Sequence, residues 1–510
     1  MRNDSLKNRY LFKLSTNLLG FLINIATAGI VPRALGVKNY GNFNFTTTIL
    51  NQIFSFLDLK STVCFYTKLS QRQNEKDLLV FYTYYTLAIL TILTIIVSVI
   101  SFTPLKQIIF TDIGIPFIYY ALIYVILYWI LGFLIQIMDA TGLTILLERR
   151  RIFNKVISTL LILGLYFYDK LSITVYFYFL YVTTLLLIIS IFIIVRRNIG
   201  HSVKLYPFPK KTLTISYLKE FYTYSKPLAF FVLFGFLGIS FDRWMLQFYG
   251  GSFEQGLFAF AYALSNFCFI FITAIIPLFT RELSIAANEE NKIKMAKTFR
   301  QYVPLLYVIT AYFCSFIFVE RESMIQLFGG SEYIDATNVL GIMAFYPLVS
   351  TYSNLNGSVI YATGKTKILL NQSLFFLPVG MLLTYILLSN EKFGLDLGAV
   401  GLASKNVIIE FFSINVILYI NSRYLNIGYW KYFAHMVLSI LPFIVLAYIA
   451  HFLNYYVLHL LDLSLNTFLT FLLSGIFYTL FTFIFLVIFP LIAGLHRKDI
   501  NKIIHIKFKL

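Results

Sequence analysis

The chain has 510 residues, of which 59% are hydrophobic and 13% charged, with 41 Lys+Arg against 23 Asp+Glu and a formal net charge of +18. A soluble domain carries roughly 45–50% apolar and about 25% charged residues, so water is excluded as the solvent for most of this surface. A membrane helix needs about 20 apolar residues, which leaves room for a dozen or more spans. Nucleic acid is not the partner implied by the basic balance, because the cations follow membrane topology.

The opening MRNDSLKNRYLFKLSTNLLGFLINIATAGIV has basic residues before an apolar run but no small-x-small cleavage site, and it reads as the first span rather than a removed signal. Fourteen apolar stretches follow one another near residues 12–31, 42–67, 78–102, 115–138, 156–168, 171–195, 227–249, 256–280, 302–319, 336–361, 368–389, 398–420, 432–452 and 465–494. Lys and Arg are retained on the cytoplasmic side of a membrane. With the N-terminus inside, the inner segments hold 32 Lys+Arg and the outer loops 6, whereas acids divide 9 to 10. An error of one span would scramble that parity, so both termini are expected in the cytoplasm and the protein in the inner (plasma) membrane. Cys64, Cys268 and Cys314 sit in apolar runs and read as packing residues, not a disulfide or metal framework.

An internal repeat emerges at a shift of 215, where Gly36-VKNY-Gly41 lies over Gly251-SFEQ-Gly256 and Asn51 over Asn266, with 7 identities in 21 positions. The copies are six spans apart, an even number, so the halves share orientation and the binding site is expected between them. The expected organisation is an N-terminal lobe (1–200), a cytoplasmic connector (201–226) containing Pro207-Phe-Pro209, a C-terminal lobe (227–424), and two extra helices with a basic tail (425–510).

Catalytic signatures are missing. Gly364-Lys365-Thr366 ends like a phosphate loop, but Val359 stands where glycine is needed and no strand precedes it. The sequence contains no HExxH, CxxC or DxD motif, and the longest outer loop, about residues 320–335, is short for a membrane polymerase or ligase. A transporter is expected, not an enzyme, with no metal or organic cofactor.

Four stretches carry a resemblance: VPRALGVKNYGNFNF, DRWMLQFYGGSFEQGLFAFAYALSN, LFGGSEYIDATNVLGIMAFYPLVSTYSNLNGSVIYATGKTK and LGAVGLASKNVIIE, in order between residues 31 and 410. Together they resemble segments of the polysaccharide-export family, the Wzx-type O-antigen flippases of the multidrug/oligosaccharidyl-lipid/polysaccharide (MOP) superfamily. The resemblance implies an all-α integral membrane protein of about 14 transmembrane helices. Two pseudo-symmetric six-helix lobes would form a V, followed by two C-terminal helices. The implied cargo is an undecaprenyl-diphosphate-linked oligosaccharide of the lipopolysaccharide type, moved from the cytoplasmic to the periplasmic leaflet. Membrane lipids, and the polymerase and chain-length regulator of the same pathway, are the expected further partners; coupling to an H+ or Na+ gradient is the expected energy source.

Physical chemistry demands the same division of labour. Sugar hydroxyls are costly to bury unpaired, while extracting a polyprenyl tail would cost about 0.8 kcal/mol per CH₂. The head must cross in water and the tail must stay in lipid.

Ionisable residues within spans are candidate functional groups. Arg243 and Asp242 lie seven or eight residues before Gly250, roughly 11 Å deep; they are candidates to attract the diphosphate and to hold the arginine between cycles, or else form a bracing pair. Lys60 stands where the family more often has a small residue, and is a candidate for charge recognition, with snorkelling as the rival reading; Asp58, two residues before it, is a further candidate substrate contact. Lys405 is a third candidate; Glu410, five residues on, is turned about 140° away and does not share its face. Asp139 reads as interfacial. Arg149, Arg150 and Arg151 read as positive-inside anchors that also suit an anionic headgroup at the cytoplasmic mouth. Asn24, Asn51, Asn266, Asn354 and Asn356 could meet sugars, although hydrogen bonding between helices is the commoner use. Three alternatives stay open: a MOP drug/cation antiporter, a flippase for a teichoic-acid or peptidoglycan precursor, and a membrane polymerase.

Overall fold

The computed structural model describes residues 16, 19–20, 23–25, 27–72, 75–198, 211–462 and 465–495. The N-terminal tail, most of the first expected span, the Pro207-Phe-Pro209 break and the basic C-terminal tail lie outside the described residues. Among the described residues all regular structure is helical, with no strand.

The helices are α1 (Ile30–Asp58), α2 (Ser61–Gln71), α3 (Lys76–Ser101), α4 (Leu105–Ile109), α5 (Ile115–Ala140), α6 (Thr144–Phe167), α7 (Ile173–Asn198), α8 (Lys211–Ser225) and α9 (Ala229–Ser265). After these come α10 (Ile270–Asn288), α11 (Lys292–Val319), α12 (Arg321–Phe328), α13 (Ala336–Met343), α14 (Tyr346–Ala362), α15 (Lys367–Leu388), α16 (Gly398–Leu425), α17 (Tyr429–Leu438), α18 (Ile440–Leu460) and α19 (Thr467–Ile488). Each of the second to fourteenth apolar stretches of the sequence corresponds to one or two of them. Nine helices among the described residues are long and apolar enough to cross a membrane. The number is below fourteen because most of the first expected span lies outside the described residues, and for local reasons: the second is broken at Leu59 and Lys60, Ala229–Phe269 doubles back at Gly251, α14 has only 17 residues, and α6 opens with Glu148 and three arginines.

The protein is an all-α multi-pass membrane protein, and its surface shows why. Large apolar side chains point outward along the spans, among them Leu160 (65% exposed), Leu382 (61%) and Phe483 (62%), an arrangement that acyl chains tolerate and water does not. Some hydroxyls inside spans are satisfied by their own helix: Thr91 and Thr94 each donate to the carbonyl four residues earlier, at 2.9 Å.

The chain divides into two compact units, Met1–Gly256 and Leu257–Leu510. In the first, α5 packs against α7 and α1, and α8 lays Tyr217 and Phe221 into an aromatic cluster with Phe81 and with the stacked pair Phe65 and Tyr82 (4.1 Å). In the second, α14 packs on α10 and α16. The two C-terminal helices α18 and α19 pack on α11, where Tyr478 stacks on Tyr312 at 4.8 Å and donates to its carbonyl at 2.9 Å.

Within the first unit the sequence repeat is also a repeat of backbone. Gly36 (φ 71°, ψ 167°) and Gly251 (φ 66°, ψ −168°) break their helices in the same conformation, one that essentially only glycine adopts. Five residues on, the paired glycines meet. A Cβ on Gly41 would lie 1.9 Å from the Ser252 carbonyl oxygen, and one on Gly256 would lie 2.1 Å from the Val37 carbonyl oxygen. Val37 and Ser252 are themselves related by the shift of 215, so the contact is reciprocal.

Candidate functional site

Lys60 stands at a break inside an apolar run. Leu59 (φ 47°) and Lys60 (φ 62°) both take the left-handed conformation between α1 and α2, costing roughly 1–2 kcal/mol each for residues with a Cβ. The buried Asp58 holds the break. Its carboxylate accepts from the Ser61 hydroxyl at 2.6 Å, the Thr62 hydroxyl at 2.5 Å and the Thr62 amide at 3.3 Å, and the Ser61 and Tyr82 hydroxyls lie 3.2 Å apart. Asp58 thus caps α2, and the outcome is an exposed Lys60.

Arg243 is half-buried on α9 and bonded across the Gly251 hinge. Its Nη1 donates to Gln255 Oε1 at 3.2 Å, and Gln255 Nε2 donates back to the Arg243 carbonyl at 2.5 Å. Gln255 is fully buried and Tyr40 is close to the guanidinium. The same stretch of α9 is tied to α4 and the turn after it, since Trp244 donates to the Ile108 carbonyl at 2.7 Å and Gln247 to the Thr111 carbonyl at 3.1 Å. Asp242 is half-buried beside it.

The structure keeps Arg243 and Lys60 apart. Gly41 meets Ser252 at one end of the helix pair, and Phe56 stacks on Phe236 (5.1 Å) further along. Fifteen residues separate 41 from 56 and sixteen separate 236 from 252, so the helices run antiparallel. From the Phe56 and Phe236 level, Arg243 is seven residues towards the hinge and Lys60 four residues the other way, about 16 Å in total at 1.5 Å per residue.

Lys405, in the second unit, is buried along α16 with its stem across Gly380 of α15: a Cβ there would lie 3.4 Å from Lys405 Cε. Glu410 lies instead beside Ser353 and Tyr346 of α14, so the two residues face different helices, as their spacing requires. Arg149 and Arg150 are exposed, while Arg151 donates to the buried Glu148 at 2.9 Å. Asp139 accepts from Thr144 at 2.9 Å across the turn into α6.

The asparagines mostly tie helices together. Trp129 donates to Asn51 at 3.0 Å, and Asn421 to both the carbonyl and the side chain of Asn356 at 3.0 Å. Asn354 bonds back to the Ser350 carbonyl at 2.9 Å, whereas Asn24 is exposed and Asn266 opens a short 3₁₀ turn. The three cysteines are buried and free.

A charge cluster that the sequence did not reveal clamps the connector. Glu220 of α8 meets Lys68 at 2.7 Å and Arg72, while Arg72 also meets Glu75 at 3.2 Å, to which Tyr217 donates at 2.6 Å. Burial alone would push the Glu220 carboxyl up, but the hydrogen bonds and charges of Lys68 and Arg72 outweigh it and hold the group below its ordinary value. These partners lie about 150 positions apart in the chain, and the five lysines of the connector gave no hint of which acid would matter.

No family model matches the chain, and no curated protein sequence matches it. Solved structures do. The lipid II flippase MurJ in an inward closed conformation superposes with a TM-score of 0.60 at 14% identity, over 93% of this chain and 98% of that one. An inward-facing multidrug-resistance MATE transporter of the MOP superfamily superposes with 0.57 at 14% identity, over 82% of this chain and 94% of that one. The fold is that of the MOP transporters. Within this MOP fold, a MATE accounts for less of the chain than MurJ does.

Proposed function

We propose that this protein is a flippase for a polyprenyl-diphosphate-linked oligosaccharide, taking up its cargo at the cytoplasmic leaflet and releasing it at the outer one by alternating access. The observation that carries the reading is the extent of the fold likeness, which runs over 93% of this chain with a lipid-linked-cargo flippase but over 82% with a drug transporter. Lys60 supports the diphosphate part of the reading, because a charged group held outward at a strained break within an apolar run needs a compensating role. The O-antigen repeat unit is the cargo suggested by the sequence resemblance. The MurJ likeness favours a second cargo, a peptidoglycan precursor.

In this reading the repeat units are lobes 1–200 and 227–424 joined by the connector 201–226, with 425–510 appended. The chain sits in the inner membrane with both termini cytoplasmic, as the 32-to-6 division of cations supports. An H+ or Na+ gradient drives the cycle, and the pathway's polymerase and chain-length regulator receive the product.

A clean deletion should leave lipid-linked repeat units on the cytoplasmic leaflet, read by their accessibility to a membrane-impermeant probe. Normal export in that strain overturns the proposal. For Arg243 as a source of positive potential, Arg243→Ala should abolish export while Arg243→Lys retains it; full activity of the Ala variant would leave the residue a brace for the hinge.

A further inference from the structure

One end of the second unit carries an unbalanced positive cavity. It has a volume of about 400 Å³, is lined among others by Lys292, Ile293, Lys297, Arg300, Tyr424 and Asn426, and has no acidic residue in its lining. It forms where the start of α11 meets the end of α16. A helix start carries roughly half a positive charge and ordinarily recruits Asp or Glu, yet the first turn of α11 has no acid and its first nine residues hold Lys292, Lys294, Lys297 and Arg300.

The nearby compensations fall short. Glu289 is engaged by Lys294 at 3.0 Å, and neither residue lines the cavity. The end of α16, capped by Asn426 in the left-handed conformation (φ 51°), supplies about half a negative charge. Against this, Lys365 joins from the turn before α15: its ammonium lies 3.8 Å from the centre of the Tyr424 ring, and that of Lys292 lies 5.0 Å from the same ring. Cation–π attraction holds each lysine, and both ammoniums on one ring add positive charge beside the cavity that no lining acid offsets. Ile293, 83% exposed, lies on the rim of the same cavity.

We propose that this cavity binds a phosphate group, carried either by a lipid headgroup or by a soluble phosphate compound. Arg300 offers a planar fork suited to two phosphate oxygens, and Lys292 and Lys297 offer compact point charges. Lys365 strengthens the site through Tyr424. The site is separate from Lys60, Arg243 and Lys405 and does not depend on the flippase reading.

The test uses the purified full-length chain in a non-ionic detergent, with two probes: inorganic pyrophosphate by titration calorimetry, and phosphatidylglycerol against phosphatidylcholine in mixed micelles by native mass spectrometry. At least one phosphate probe should bind saturably. Lys297→Gln and Arg300→Gln should each weaken that binding about tenfold. Lys294→Gln removes the same charge from the same helix and should change it less than twofold. Pyrophosphate binding alone assigns the soluble source, phosphatidylglycerol binding alone the headgroup, and both together show that the phosphate suffices. The proposal is overturned if neither probe binds saturably, or if Lys294→Gln weakens binding as much as Lys297→Gln does.

Discussion

Arg243 and Lys60 carry the same charge on one antiparallel helix pair, yet the chain treats them differently. Arg243 is gripped from two sides of a hinge, donating to Gln255 while its own carbonyl accepts from the same residue. Lys60 is bonded to little and shown outward, and the grip is exerted on its neighbours through Asp58. In the proposed function the contrast separates two uses of a charge within an apolar span: Lys60 is free to face a cargo, whereas Arg243 also braces the hinge through its hydrogen bonds.

The contrast is broken most severely at the glycine crossing that sets the Arg243 hinge. Gly41→Val would drive a side chain into the Ser252 carbonyl, 1.9 Å from its Cβ, at a cost on the order of 3 kcal/mol or more. Size-exclusion chromatography of the purified variant should show no monodisperse protein. Next in size, Asp58→Ala removes the three hydrogen bonds that pin the break and should cost about 1–3 kcal/mol, seen as a lowered Tm together with reduced export.

Lys60→Gln sharpens the comparison: export should fall about tenfold with Tm unchanged, whereas Arg243→Gln should lower Tm. A Lys60→Gln variant that unfolds early but exports normally would reverse the assignment.

The smallest effect concerns pH at the connector. Glu220 has a lowered folded pKa, so its stabilisation is complete above the ordinary carboxyl value of 4.5 and is lost as pH falls through the lower folded value. Hydrogen exchange in α8 should accelerate over that acid window, and in Glu220→Gln it should already be fast at neutral pH.

Much of the fold was legible in the sequence because a bilayer imposes long apolar runs and sorts cations by side. The repeated glycines were legible too, since a conformation open only to glycine leaves its mark in one dimension. The break at Leu59 and Lys60 was hidden, because neither glycine nor proline marks it and the cap comes from Asp58, an acid that read as a partner for substrate. Lys405 was legible as a cation within a span, but its lodging across Gly380 depends on two helices meeting. The same holds for the phosphate cavity, whose lining is drawn from residues 292–300 and 424–426, and for Glu220, which meets its cations across the unit.

The reciprocal contact of Gly41 and Gly256 also bears on ancestry. When position i touches j′ and position i′ touches j, the arrangement is what two identical shorter chains make about a two-fold axis. Gene duplication and fusion would preserve that backbone embrace while releasing each copy to drift. The drift is visible beside it: Ser252 donates to Asn42 at 2.5 Å, whereas the residues at the mirrored positions, Val37 and Leu257, have no polar side-chain atom to answer with.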